Sequence, residues 1–255
     1  MAAQYELLKE LLNSGTPLSF GQNIFFKFYQ AFILKDRWLQ YINGVGTTLL
    51  VTAIALAMGV ALGSVVALVR VAHDQQRPGR RNPVLGVFNA VCQVYTTVIR
   101  GTPMMVQLLI WGFVIFKTSR NHTLVGIIGL GINSGAYVAE IIRAGINSVD
   151  KGQFEAGNSL GLGDGTVMQL IILPQAVRNI LPALGNEFIT LVKETSIAGT
   201  MAVNDLAKAA ERVGGATYDL YTPLLSIAVI YFVLVFGMTR ILNRFERQLA
   251  KSDNR

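Results

Sequence analysis

Charge is scarce in this chain. Only 15% of its 255 residues are Asp, Glu, Lys or Arg, against roughly 25% in an average soluble domain. A disordered chain needs the opposite balance, low hydrophobicity with high charge, and is excluded. A soluble domain would lack the charges to cover its surface. A single cysteine excludes an internal disulfide framework and a cysteine-built zinc site. The two histidines, His73 and His122, fall in predicted loops too far apart in topology to share a metal. No G-x-x-x-x-G-K-[ST] pattern occurs, so the chain is not expected to hydrolyse nucleotide itself. The glycine sets 161/163/165 and 129/131/135 lack the G-x-G-x-x-G spacing as well. What is present is apolar, 52% of residues with a mean hydropathy of +0.45, and basic, 22 Lys and Arg against 15 acids. An excess of base suits a nucleic-acid-binding face or a membrane protein with basic loops on one side; its placement decides which.

The charge-free runs decide for a membrane. Trp38 to Val69 holds no charge, nor do Asn82 to Ile99, Gly101 to Phe116, Asn121 to Ala139 and Leu220 to Thr239. About 20 apolar residues at 1.5 Å each cross ~30 Å of hydrocarbon, so the first, fourth and fifth runs each suffice for a span. The region from Val84 to Phe116 would reach ~50 Å as one helix, too long for one span and too short for two. It is interrupted at Arg100-Gly101-Thr102-Pro103, which predicts a partly interfacial segment leading into a span near Pro103 to Phe116.

Basic residues concentrate on the cytoplasmic side of a membrane. Arg70, Arg77, Arg80 and Arg81 follow the first run, and Arg240, Arg244, Arg247, Lys251 and Arg255 follow the last. Placing both groups inside requires a further span around residues 181–203, although Glu187, Lys193 and Glu194 lie within it. The expectation is an all-α membrane protein of about five spans, N-terminus outside and C-terminus cytoplasmic, with no role in binding nucleic acid. Residues 1–40 form an extracytoplasmic segment, 41–245 the membrane domain and 246–255 a cytoplasmic tail. Lys27 splits the apolar run from Ile24 to Leu34, so no cleavable signal is read there; Phe20, Ile24, Phe25, Phe28 and Phe32 suit an aromatic-rich helix at the outer interface, with a loosely ordered leader as the alternative. Gly59-x-x-x-Gly63 and Gly131-x-x-x-Gly135 mark places of close helix approach, within the chain or between subunits.

The inside segment between the third and fourth spans carries a pattern. Glu155, Ala156, Gly161, Ile171, Leu173 and Pro174 stand in the frame E-A-A-x-x-x-G, nine residues, I-x-L-P, with Gly157 in place of the second alanine. That frame resembles the cytoplasmic loop of permease subunits of ATP-binding-cassette importers. Arg100-Gly101-Thr102-Pro103 with Gln107, the run Asn133 to Ile141, Leu181 to Asn186, and Lys193-Glu194-Thr195-Ser196 look like the polar amino-acid branch, the histidine, glutamine and arginine permeases. The resemblance covers about residues 41 to 245 and implies a type I importer permease with a cytoplasmic coupling helix docked on a separate ATPase. It implies MgATP on that partner and no cofactor on this chain, a second permease subunit (identical or homologous), an extracytoplasmic amino-acid-binding protein, and the bacterial inner membrane. The residues themselves predict a short helix between Gly152 and Gly161, closed by the glycine cluster, with Pro174 ending the stretch that follows.

Ionisable residues in a bilayer usually face the bundle or a pathway. Arg100, Thr102, Gln107, Asn133, Ser134, Tyr137, Glu140, Lys193 and Glu194 are therefore candidates for lining a translocation pathway, with bracing of the bundle as the competing role. Arg143 could pair with Glu140 along one helix face or snorkel to the interface. An ion-coupled secondary amino-acid transporter is the alternative function; it would explain intramembrane charges without an ATPase, but no internal repeat supports it.

Overall fold

A computed structural model describes residues 1–76 and 81–253, and every regular element among them is helical. Arg77, Arg80 and Arg255 of the expected inside clusters lie outside the described residues. Four helices are long and apolar enough to cross a membrane: α3 (Trp38–Asp74), α6 (His122–Asn147), the helical stretch Asp164–Met201 that contains α9 (Leu173–Ala198), and α11 (Tyr221–Asp253). The fifth candidate crossing is a bent pair of helices. α4 (Pro83–Gly101) and α5 (Met104–Leu109, continued by a π-helical turn to Ile115) meet at 107°. The break falls at Thr102-Pro103, where the residue before proline is extended, φ −117° and ψ 146°.

α3 and α6 form the central seam. A Cβ on Gly59 would come within 2.7 Å of Ser134 Oγ, and one on Gly63 within 2.8 Å of Ala139 N and Gly135 O. Gly135 in turn lies under Leu62 and Tyr95. The two small-residue motifs therefore pack against each other inside one chain. A core of Val51, Ala55, Leu108, Val125, Leu130 and Leu191 closes around this seam from α3, α5, α6 and α9, with Val203 of the segment after α9.

The fourth crossing is longer than the sequence reading allowed. Pro174 does not end a helix. It sits in the first turn of α9, directly after a π-helical turn over Met168–Ile172 that joins α9 to α8 (Asp164–Val167).

Two elements flank the spans. At the N-terminus α1 (Ala2–Asn13) folds back on α2 (Phe20–Phe28), which opens on a capping box between Ser19 and Gln22. The Tyr5 ring stacks on Phe26 and Tyr29 at 4.9 and 4.7 Å. This hairpin is an ordered helical element, with Phe20, Ile24 and Phe28 left exposed along α2. Between the last two spans lies α10 (Leu206–Thr217), which buries Leu206, Ala209, Ala210 and Val213 against Tyr41 and Ile227.

Candidate functional site

The loop pattern becomes a short capped helix, α7 (Lys151–Ser159). Asp150 caps it, its carboxylate accepting from Gly152 N at 2.6 Å. At the other end Gly161 takes φ +80°. Its N–H donates to Asn158 O (3.0 Å), and Leu162 N donates to Gly157 O (3.2 Å). This paired closure is the Schellman turn, and it requires a left-handed residue at position 161, which glycine supplies without strain. The expected helix is thus present, ending two residues before Gly161.

Gly157, the departure from the family frame, has a packing role. It is buried, and a Cβ there would lie 2.7 Å from Val167 Cγ2 and 3.1 Å from Ile171 Cδ1. α7 is seated on the start of the fourth crossing through this contact, one methyl closer than alanine allows. Ile172, Val167 and Ala176 continue that core, with Ile171, Leu173 and Phe154 against it. Glu155 and Ala156 face outward, and Leu160, the C-cap of this helix, which sequence reasoning passed over, is 81% exposed. Only burial could have singled it out.

The intramembrane candidates separate into two groups. The first stitches the broken span. Gln107, 7% exposed, donates from Nε2 to Ile99 O (2.7 Å), Thr102 O (3.1 Å) and Thr102 Oγ1 (2.8 Å), while its Oε1 accepts from Asn133 Nδ2 at 3.0 Å. The carbonyls freed by the bend are thereby satisfied in a medium that offers no water. Ser134, fully buried, donates to Glu187 Oε1 at 2.9 Å, tying α6 to α9.

The second group gathers on Glu140. Arg143 binds it along the same helix through Nε and Nη2, one to each carboxylate oxygen, and Arg70 of α3 reaches Oε2 at 3.2 Å. Arg100, at the end of α4, lies 3.9 Å from the same oxygen and stacks its guanidinium 5.4 Å from the Tyr137 ring centroid. Arg70 was counted among the orienting loop charges; it lies inside the last turns of α3 and belongs to this cluster. Three cations on one carboxylate leave a local charge of about +2, and Arg70 Nε is buried without a hydrogen-bond partner. Lys193 and Glu194 are not brought to Glu140. On α9 Lys193 is exposed and Glu194 half-buried, and Glu194 shares its helix face with Glu187 seven residues earlier.

Comparison with known proteins agrees with this geometry. Residues 84–251 match the family model "Binding-protein-dependent transport system inner membrane component". The arginine transport system permease protein ArtQ of Bacillus subtilis (strain 168) is 38% identical over 215 residues, 83% of this chain and 93% of that protein. The L-cystine transport system permease protein TcyB of the same organism is 34% identical over 243 residues, 94% of this chain and 97% of that one. That alignment leaves only about 15 residues of this chain uncovered, so the similarity reaches into the N-terminal hairpin. A crystal structure of an amino acid ABC transporter with histidines superposes with a TM-score of 0.76 at 36% identity, covering 91% of this chain and 100% of that one. The chain belongs to the family of inner-membrane components of binding-protein-dependent transport systems, multi-pass permeases whose ATPase is a separate subunit.

Proposed function

We propose that this chain is the permease subunit of an importer for polar amino acids, working as a pair with a second permease, identical or homologous. An extracytoplasmic binding protein delivers the substrate and two ATPase subunits drive the cycle. In this reading the N-terminus is outside and the C-terminus in the cytoplasm, which puts α7 on the side where ATP is available. Polar amino acids are supported by the arginine and cystine permeases named above and by the amino-acid transporter of known structure.

The observation that carries the coupling role is α7 itself. It is capped at Asp150, closed at Gly161 and seated by Gly157 on the stretch that continues as α9, so a push on its outer face is transmitted to a membrane span. Glu155, Ala156 and Leu160 form that outer face, while Ile171, Leu173 and Pro174 belong to the base on which it rests. In the membrane the labour divides. Thr102, Gln107 and Asn133 brace the broken span, Ser134 ties α6 to α9, and the pathway runs past Tyr137, Arg100 and the Glu140 cluster, with Lys193 and Glu194 standing apart from that cluster on α9. An excess of guanidinium suits the substrate's carboxylate.

The test is Gly161→Leu. A residue with a Cβ is disfavoured by ~1–2 kcal/mol at φ +80°, though the position is sterically open. The variant is expected to insert and to copurify with the permease partner, but with amino-acid uptake uncoupled from ATP hydrolysis. Gly161→Asn, which tolerates this conformation, should restore much of the coupling. Unaltered transport by Gly161→Leu would remove the docking role. Uptake driven by a proton gradient with no ATPase present would favour the secondary-transporter alternative.

A further inference from the structure

The inner end of α11 carries a set of cations that neither the coupling helix nor the Glu140 cluster uses. Arg240, Asn243, Arg244 and Arg247 recur at helical spacing and line a cavity of about 320 Å³ among themselves. In contrast to Arg70, Arg100 and Arg143, none of these three guanidiniums has a carboxylate partner among the described residues. They stand on the side of α11 opposite Met238, Leu242 and Phe245, which line the contact with Gly185 and Ile189 of α9. The basic face therefore points away from the bundle.

Above it the same face is apolar. Val229, Phe232, Val233 and Phe236 are all exposed, and they lie on the helix stripe that Arg240, Arg244 and Arg247 continue. Arg240 folds back over the Phe236 ring, its guanidinium carbon 4.5 Å from the centroid, so the first cation sits at the boundary between the two halves. The depth is consistent with this. From Tyr221, where α11 begins, to Arg240 is about 28 Å of helix, close to the ~30 Å thickness of a hydrocarbon core. The cavity thus falls at the level of the phosphates, beneath a strip shaped to lie along acyl chains. Orientation of the chain requires basic residues on one side of the membrane, but not three of them on one outward face around one cavity.

We propose that Arg240, Asn243, Arg244 and Arg247 bind the phosphodiester headgroup of an anionic phospholipid of the inner leaflet, with its acyl chains against Phe236, Val233 and Phe232. Two guanidinium forks satisfy a phosphate that bears no neutralising amine, and Asn243 supplies a neutral donor beside them.

The complete importer, reconstituted in nanodiscs of equal phosphatidylglycerol and phosphatidylcholine, tests this by counting retained lipids in native mass spectrometry. The unaltered complex is expected to keep about one phosphatidylglycerol per copy of this chain. Arg240→Gln/Arg244→Gln/Arg247→Gln should weaken that retention on the order of a hundredfold, leaving phosphatidylcholine unchanged. Removing three inside charges can disturb insertion, so Arg244→Gln/Arg247→Gln, which keeps Arg240 at the boundary, is the second variant; about a tenfold loss or more is expected there. Equal phosphatidylglycerol retention in the inserted variants would overturn the proposal. So would displacement of the lipid by millimolar inorganic phosphate, which would assign the site to a soluble anion. Loss of the ATPase with lipid retention intact would also overturn it, making this face a protein-docking surface.

Discussion

Glu140 sets the electrostatics of the membrane site, because Arg70, Arg100 and Arg143 all come within 4 Å of its carboxylate. Removing it leaves three guanidiniums crowded together, whereas removing any one arginine leaves the acid with two partners. Breaking a buried pair costs about 3–5 kcal/mol, but these side chains are 16–41% exposed, so the expected loss for Glu140→Gln is discounted to about 1–3 kcal/mol. Thermal unfolding of the purified chain should show Glu140→Gln more damaging than Arg70→Gln, Arg100→Gln or Arg143→Gln; equal effects would mean the cluster has no centre. The sequence pointed to Glu140, Arg100 and the Glu140–Arg143 spacing. It did not reveal Arg70 as a partner, because residues 70 positions apart meet only once α3 and α6 are packed. Gln107 and Asn133 were likewise legible as polar groups in an apolar run, while their bond to each other depends on the 107° bend.

Among the elements, α10 was the least foreseen. Its signals were nonetheless local: Asp205 as cap, then apolar residues at 206, 209, 210 and 213. Asp205 is fully buried. Its Oδ1 accepts from Lys208 N at 2.9 Å, and its Oδ2 has no partner. Burial pushes its carboxyl up to about 6, against the hydrogen bonds at the helix start, which favour the charged form. A raised acid in the folded chain stabilises it below the unfolded value near 4, and that stability is lost as pH rises to about 6. A shift of roughly two units corresponds to about 3 kcal/mol. Unfolding measured from pH 4 to 7 should therefore show the unaltered chain losing stability between about pH 4 and 6 and then levelling. Asp205→Asn keeps a good cap and should flatten that profile. An identical profile in the variant would show that another group is responsible. α7 makes the complementary point. Its frame was legible residue by residue, yet Gly157 looked like a loss of helix propensity until Val167 was seen against it.

At the scale of the whole molecule, the α3–α6 seam holds the membrane domain together. A methyl on Gly63 would meet backbone atoms at 2.8 Å, and backbone cannot swing aside as a side chain can. Gly63→Ala is expected to force the two helices apart, at a cost of about 1–3 kcal/mol or more. Gly46→Ala, on the same helix with open space around it, should be neutral or stabilising by up to about 1 kcal/mol. The thermal midpoint should fall for Gly63→Ala and stay level or rise for Gly46→Ala, and a shared loss would point to α3 itself rather than the seam.

Hydropathy and charge along the chain by themselves determined that this is a helical membrane protein of about five crossings, because those signals are local and the bilayer demands them of every crossing segment. The E-A-x frame likewise announced a permease. Tertiary structure alone decided that the two glycine motifs face each other, that Gln107 heals the broken span, that one glutamate holds three arginines, and that Arg240, Arg244 and Arg247 turn outward. Each of these depends on which faces of distant helices meet, and a linear pattern specifies a face without naming its neighbour.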